Sequence, residues 1–156
     1  MFLPRLLGSI DHIMQEKYTN ELLKVNKKLK EYDLVLTRDE IKNMLIVRNR
    51  VLRDYARVEL GVEVIKELVE AFCRSPYIAN ENFASMVNEF QEIFHYLKNE
   101  TEDEIGDSLL IGIMKDYFDD TCRGSMEFLK SQLEEFAEQF RSDAQFRKSV
   151  LERDEL

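Results

Sequence analysis

A chain of 156 residues, 44% hydrophobic and 34% charged, with only two prolines and five glycines, has the length of one ordinary domain and lies outside the disordered, collagen-like and membrane classes. Its net charge of −9 divides unevenly: residues 1–58 hold 12 Lys and Arg against 8 acids (+4), residues 59–156 hold 10 against 23 (−13). Such an acidic balance repels phosphate backbones at long range, so nucleic acid is not an expected partner unless the front half gathers its charge on one face.

The first long segment, about residues 6–31, places Leu6, Ile10, Ile13, Met14, Tyr18, Leu22, Val25, Leu29 and Tyr32 at three- and four-residue steps, with "YTN" as the candidate break. The alternation in "DLVLT" is too short for a sheet. In "TRDEI", Thr37 and Glu40 form a capping box that opens a second helix running to about Arg57. The pattern resets near Gly61. "VEVIKELVEAFC" is a third helix with Ile65, Leu68, Val69 and Phe72 inward, and Pro76 stops the chain from continuing it.

Asn80 or Asn82 caps the fourth helix, whose row of Phe83, Met86, Val87, Phe90, Ile93, Phe94 and Leu97 is the strongest in the chain. "TEDE" repeats the capping-box pattern at Thr101 and Glu104, and "DS" at 107–108 restarts the chain as a fifth helix bearing Leu110, Ile111, Met114, Tyr117 and Phe118. From Ser125, Leu129, Leu133, Phe136 and Phe140 mark a sixth helix, followed over 141–156 by a frayed or peripheral tail. The expected fold is all-α: one domain, a compact bundle of about six helices with short connections.

The runs "RVELG", "LVEAFCRSPYI", "HYLKNETEDEI" and "KDYFDDTCRGS" resemble an uncharacterised family of small helical bacterial proteins, a domain of unknown function, over about residues 20 to 128. The resemblance implies a bacterial cytosolic protein. It carries no activity, ligand or catalytic residue.

No run of about 18 apolar residues offers a bilayer span, and no membrane partner is expected. "MFLPRLLGSI" has no basic lead and is interrupted by Pro4 and Arg5, so it does not read as a secretory signal. The closing "ERDEL" resembles a retention tetrapeptide, but without an entry signal it is read as chance, and a cytoplasmic setting is expected. Cys73 and Cys122 lie outside any C-x-x-C pair and are expected as free thiols. With His12 and His95 as the only histidines, no metal and no cofactor is expected.

Individual motifs mostly favour plain readings. Glu92 and His95 in "EIFH" have the i, i+3 spacing of half a di-iron motif, but no second copy exists, and His95 falls off the apolar stripe, so a surface pair is expected. The acidic runs "NETEDEIGD" and "KDYFDDT" do not fit a calcium-loop spacing and read as capping and solvated acids. No nucleophile and base pair, and no phosphate loop, can be assembled. Cys73, a candidate reactive thiol, follows Phe72 at a helix C-terminus, where the dipole raises a thiol pKa, so "EAFCRSPYIANENF" reads as a corner.

Arg48 resists such a reading. In steps of about 100° from Leu45 it lands at about −60°, amid Ile41, Met44, Leu52 and Tyr55. A guanidinium there must snorkel, pair with a carboxylate such as Glu59, or face an anion in a cavity. Arg48, Arg57 and Glu59 are therefore the candidate ligand-binding residues. The leading expectation is a non-enzymatic protein–protein interaction or regulatory module, partnered by itself as a homo-oligomer or by another protein through apolar surface on the sixth helix and at Leu3–Leu7. The alternative is a small anionic-ligand-binding protein or minor enzyme with a pocket around Arg48.

Overall fold

A computed structural model describes the backbone of residues 3–155 and the side chains of residues 12–155. The helices are α1 (Leu3–Leu23), α2 (Asn26–Leu29, extended by a 3₁₀ turn at Lys30–Tyr32), α3 (Arg38–Asp54), α4 (Glu63–Phe72), α5 (Asn80–Glu100), α6 (Asp107–Asp116), α7 (Met126–Ser142) and α8 (Ala144–Asp154). A π-helical turn, Tyr117–Thr121, follows α6. Among the described residues all regular structure is helical, and seven helices have ten or more residues, against an expectation of about six.

α5 is the central element, packed against α3, α4 and α7. Its whole predicted row, Phe83 through Leu97, is buried. Phe90 stacks on Phe72 of α4 with centroids 3.7 Å apart, and Phe118 stands edge-on to both at 5.3 and 5.6 Å. Rings so arranged bring quadrupole attraction in addition to their buried area. α3 opens on the expected box: Thr37 Oγ1 accepts from the Glu40 N–H at 3.1 Å, and Glu40 Oε1 accepts from the Thr37 N–H at 2.9 Å.

The short alternating stretch before α3 leaves a left-handed turn at Asp33 and joins no sheet. Two side-chain amides take its backbone instead: Asn26 is bonded to both the N–H and the carbonyl of Leu36 (2.8 and 2.9 Å), and Asn80 accepts from the Val35 N–H. "YTN" does not break α1 either. Thr19 is buried and donates to the Gln15 carbonyl one turn back, at 2.7 Å, which satisfies the hydroxyl inside the helix. Of the predicted stripe, Leu22, Val25 and Leu29 are buried, whereas Ile13 and Tyr32 face solvent; the side chains of Leu6 and Ile10 lie outside the described residues.

Two local readings are corrected. Thr101 does not cap a helix start: it ends α5, is buried, and donates to the Leu97 carbonyl at 2.7 Å. Glu102 and Asp103 follow with φ of 54° and 59°, and α6 begins only at Asp107 with Gly106 before it. The partner of the Gly106 N–H is distant in sequence, Asp154 Oδ2 at 2.8 Å, so the C-terminal helix supplies the carboxylate at the start of α6. Where a frayed or peripheral tail is expected, α8 forms, capped by Asp143 and packed on α7 with Val150 buried and Phe146 edge-on to Phe136.

On the sixth helix, expected to offer apolar surface, Phe128 is exposed but the inner row is not. Leu133 and Phe136 are in the core, only 1% and 4% exposed, and α7 turns its acids outward, so these two side chains offer no docking surface. The other proposed contact, Leu3–Leu7, lies outside the residues whose side chains are described.

"EAFCRSPYIANENF" is a corner between α4 and α5, tied down from across the bundle. Ser75 Oγ donates to Asp119 Oδ1 at 2.6 Å, and Lys115 holds the other oxygen of Asp119 at 2.7 Å, which fixes the π-helical turn against the corner. Asn82 accepts from the Ala79 N–H at 2.9 Å and so closes the entry to α5. Tyr77 lies edge-on to Phe118 and covers Gly124, whose φ is +84° and where a Cβ would fall 2.6 Å from Tyr77. Gly124→Ala is therefore expected to cost about 2–4 kcal/mol in urea unfolding, from left-handed strain plus overlap. A double-mutant cycle with Tyr77→Gly is expected to show coupling, and strict additivity would refute the overlap.

Candidate functional site

The site is built on the C-terminal half of α3 and the segment that returns from it to α4. Arg48 is 7% exposed among Leu45, Val51 and Leu52, where an unpaired guanidinium would cost several kcal/mol. Nε donates to Glu59 Oε1 at 2.9 Å, one terminal nitrogen donates to Asn49 Oδ1 at 2.8 Å, and the other donates to the carbonyls of Glu59 and Gly61 at 2.9 and 2.7 Å. Four of its five N–H groups thus have partners on the protein. The Tyr18 ring lies under the guanidinium, 5.5 Å from centroid to Cζ, and its hydroxyl donates to the Leu60 carbonyl at 3.2 Å.

These bonds organise the α3–α4 connection. Ala56 turns the chain with φ of 51°, and the Arg57 N–H closes on the Leu52 carbonyl at 2.8 Å. Beyond it the side chains alternate: Glu59 points in to Arg48, while Val58 and Leu60 stand 87% and 93% exposed on either side of it. Arg48 also borders an open cleft of about 450 Å³ between α1 and α3, with Met14, Gln15, Tyr18, Leu45, Ile46 and Asn49.

Behind Glu59 lies a second polar layer that the sequence reading did not assign. Arg57 binds Asp103 at 2.7 Å, and Lys98, 6% exposed, donates to the Ile105 carbonyl at 2.7 Å and reaches Asp107 at 2.8 Å. The acids of "NETEDEIGD" therefore face cations at the end of α5 as well as opening α6. Arg57 holds Asp103 below the usual carboxylate range, whereas burial pushes Glu59 up against the opposing pull of Arg48.

His95 corrects the expected surface pair. It is 2% exposed, edge-on to Phe94, and Nδ1 is buried without a hydrogen-bond partner, while Glu92 binds Arg50 outside. Burial first, then Arg57, lowers the imidazole to about 4, so it is neutral at ordinary pH. Stepping from the stripe centre misplaced it because α5 is covered on more than one face, and a helix so enclosed buries residues off its main stripe.

Of the three candidate ligand residues, Arg48 and Glu59 are brought together and bonded to each other, while Arg57 is bonded to Asp103 in the second layer. Cys73 is elsewhere, at the end of α4, buried and donating to the Glu70 carbonyl at 3.2 Å, and burial raises its thiol pKa. Among the described residues no three His, Cys, Asp or Glu side chains converge as a metal site would require. No described helix is long and apolar enough to cross a membrane.

Fold and cluster together define an all-α bundle organised around a buried arginine clamp. The chain belongs to a family of unknown function (DUF6323), which matches it over residues 21–146 and so covers Arg48, Glu59, the second polar layer and all eight helices in whole or in part. No curated protein and no solved structure matches it.

Arg48→Met is expected to destabilise by about 3–5 kcal/mol because Glu59 is stranded. Adding Glu59→Gln is expected to restore part of the loss, the Glu59 and Gly61 carbonyls still lacking their donor; chemical denaturation of the three proteins measures both. His95 sets a pH dependence. Its folded pKa lies below the unfolded value of 6.5, so the unfolded state takes up the proton first and stability falls as pH drops from about 6.5 toward about 4. The slope from this group approaches about 1.4 kcal/mol per pH unit. In His95→Gln that slope is expected to flatten, and an unchanged slope would refute the assignment.

Proposed function

We propose that this chain is a non-enzymatic helical protein–protein interaction module that docks through an apolar rim displayed by the Arg48 clamp. The observation that carries the reading is the fixed exposure of Leu60 and Val58, at 93% and 87%, on a connection whose backbone is bonded to Arg48 and Tyr18. Single exposed aliphatic residues are ordinary; here Ile46, 59% exposed, lines the adjoining cleft, and Ile13, 64% exposed, neighbours Met14 of its opposite wall. A mobile loop would lose entropy on docking, whereas a pre-ordered one loses less.

This reading is preferred to an anionic ligand at Arg48 because the guanidinium already has a carboxylate, two carbonyls and an amide, leaving one N–H to offer. The docking partner is a second copy of the chain or another protein. The free, buried Cys73 and Cys122 suit a reducing compartment, and the proposed setting is the bacterial cytoplasm.

A photoreactive leucine analogue at position 60 tests this. The expected result is one reproducible cross-linked species, a dimer of the chain or one heterologous adduct, abolished by Ile46→Asp with Val58→Asp. The same probe at exposed Lys148 serves as the control; adducts no stronger at 60 than at 148, with a monomer in light scattering, would refute the proposal.

A further inference from the structure

A second surface, separate from the apolar rim, concentrates positive charge on an otherwise acidic protein. Lys17, Lys24, Lys27, Lys28 and Lys66 line one groove of about 680 Å³ between α1–α2 and α4. Lys17 of α1, Lys24 of the turn after it and Lys27 and Lys28 of α2 recur at three- and four-residue steps through Asn20 and Glu21, and Lys66 comes from the facing helix. Glu21 and Glu70 also line it, so the groove is net +3 and the rest of a chain of net −9 carries −12. Four of the twelve cations of the first 58 residues gather here.

The lysines are not consumed by the fold. Among the described residues, Lys28 comes only to 4.0 Å from Glu70 and Lys66 to 3.9 Å from Glu63, both pairs on the surface, where such contacts contribute little. A cleft lined by like charges focuses its potential, and an anionic partner relieves the repulsion.

We propose that this groove binds an acidic, extended segment of a protein, its carboxylates seated on the lysines. Three features select that chemistry over a nucleic acid. Duplex DNA carries a charge every ~1.7 Å and would lay phosphates along the acidic remainder of the surface. The lining residues include no arginine for bidentate phosphate recognition and no aromatic ring on which bases stack. Glu21 and Glu70, set between the lysines, repel a dense run of charge but admit carboxylates separated by neutral residues, the spacing an extended chain of alternating sequence presents. The inference does not rest on the apolar rim, and the two surfaces fail or succeed separately.

The test is fluorescence anisotropy of a short labelled peptide of alternating glutamate and serine with the full chain, beside duplex DNA, single-stranded RNA and inorganic polyphosphate. The peptide is expected to bind at low salt, to weaken as salt rises, and to lose about tenfold or more in affinity with Lys24→Glu plus Lys27→Glu. Both lysines are exposed, and an unchanged thermal midpoint checks the fold; the neutral pair Lys24→Gln and Lys27→Gln is expected to give a smaller loss in the same direction. Lys148→Glu and Leu60→Asp are expected to leave peptide binding unchanged. Absence of binding at low salt, a loss as large with Lys148→Glu, or tighter binding of any nucleic acid or polyphosphate than of peptide would overturn the proposal.

Discussion

The arrangement of this bundle depends on one unfavourable placement, a guanidinium on the inner face of α3. Arg48 is nearly excluded from water, and a charge there persists only if the surrounding chain brings it a counter-charge and fills its hydrogen bonds. The α3–α4 connection does so, and it is shaped accordingly: one carboxylate inward, two carbonyls turned toward the guanidinium, and the intervening aliphatic side chains left outside. The apolar rim is thus a geometric consequence of satisfying Arg48. An aliphatic residue at position 48 would have filled the core without that demand, and of the bonds that set the place of Leu60 only the one from the Tyr18 hydroxyl would then be left.

The same logic extends one layer deeper. Glu59 is pushed up by burial and held by Arg48, and behind it Arg57, Lys98, Asp103 and Asp107 form a chain of alternating charge that joins the ends of α3 and α5 to the start of α6. His95 sits among three cations as the member left neutral. Protonating it would add a fourth positive charge, which burial and the three cations oppose and Asp107 favours.

Local chemistry accounts for what was legible in the sequence. The Thr37 box, the Pro76 corner, the Phe83–Leu97 row and the pairing of Arg48 with Glu59 each follow from residues close in sequence or from the severe cost of leaving a group unsatisfied. What was not legible turned on distant partners. "TEDE" has the spacing of a helix start, yet Thr101 ends α5, because Arg57 and Lys98 receive Asp103 and the turn is made by two left-handed residues. The order of the last residues depends on Asp143 capping α8 and Asp154 reaching Gly106, 48 positions away. The apolar surface expected on the sixth helix was overestimated for a related reason: Leu133 and Phe136 are buried, Phe136 edge-on to Phe146 of α8, and the weak amphipathic pattern of α8 does not announce that contact. The five-lysine groove was foreshadowed only as a surplus of charge in the first 58 residues, since Lys66 joins it from another helix.

α1 connects the two surfaces. Tyr18 belongs to the clamp and the apolar cleft, Lys17 to the basic groove, and adjacent residues on a helix point about 100° apart. One helix packed on α3 therefore presents different chemistry to its two sides. The surfaces differ in how they respond to solvent. Contacts on the lysine groove weaken over a Debye length of about 10 Å at 0.1 M salt, whereas burial of Val58, Leu60 and Ile46 is indifferent to screening and is strengthened by excluded salts such as sulfate. A partner that used both would bind with a salt dependence set by the groove and a residual affinity set by the rim. The rigid clamp allows that division, because the position of Leu60 relative to α1 is fixed through the Tyr18 hydroxyl whether or not the groove is occupied.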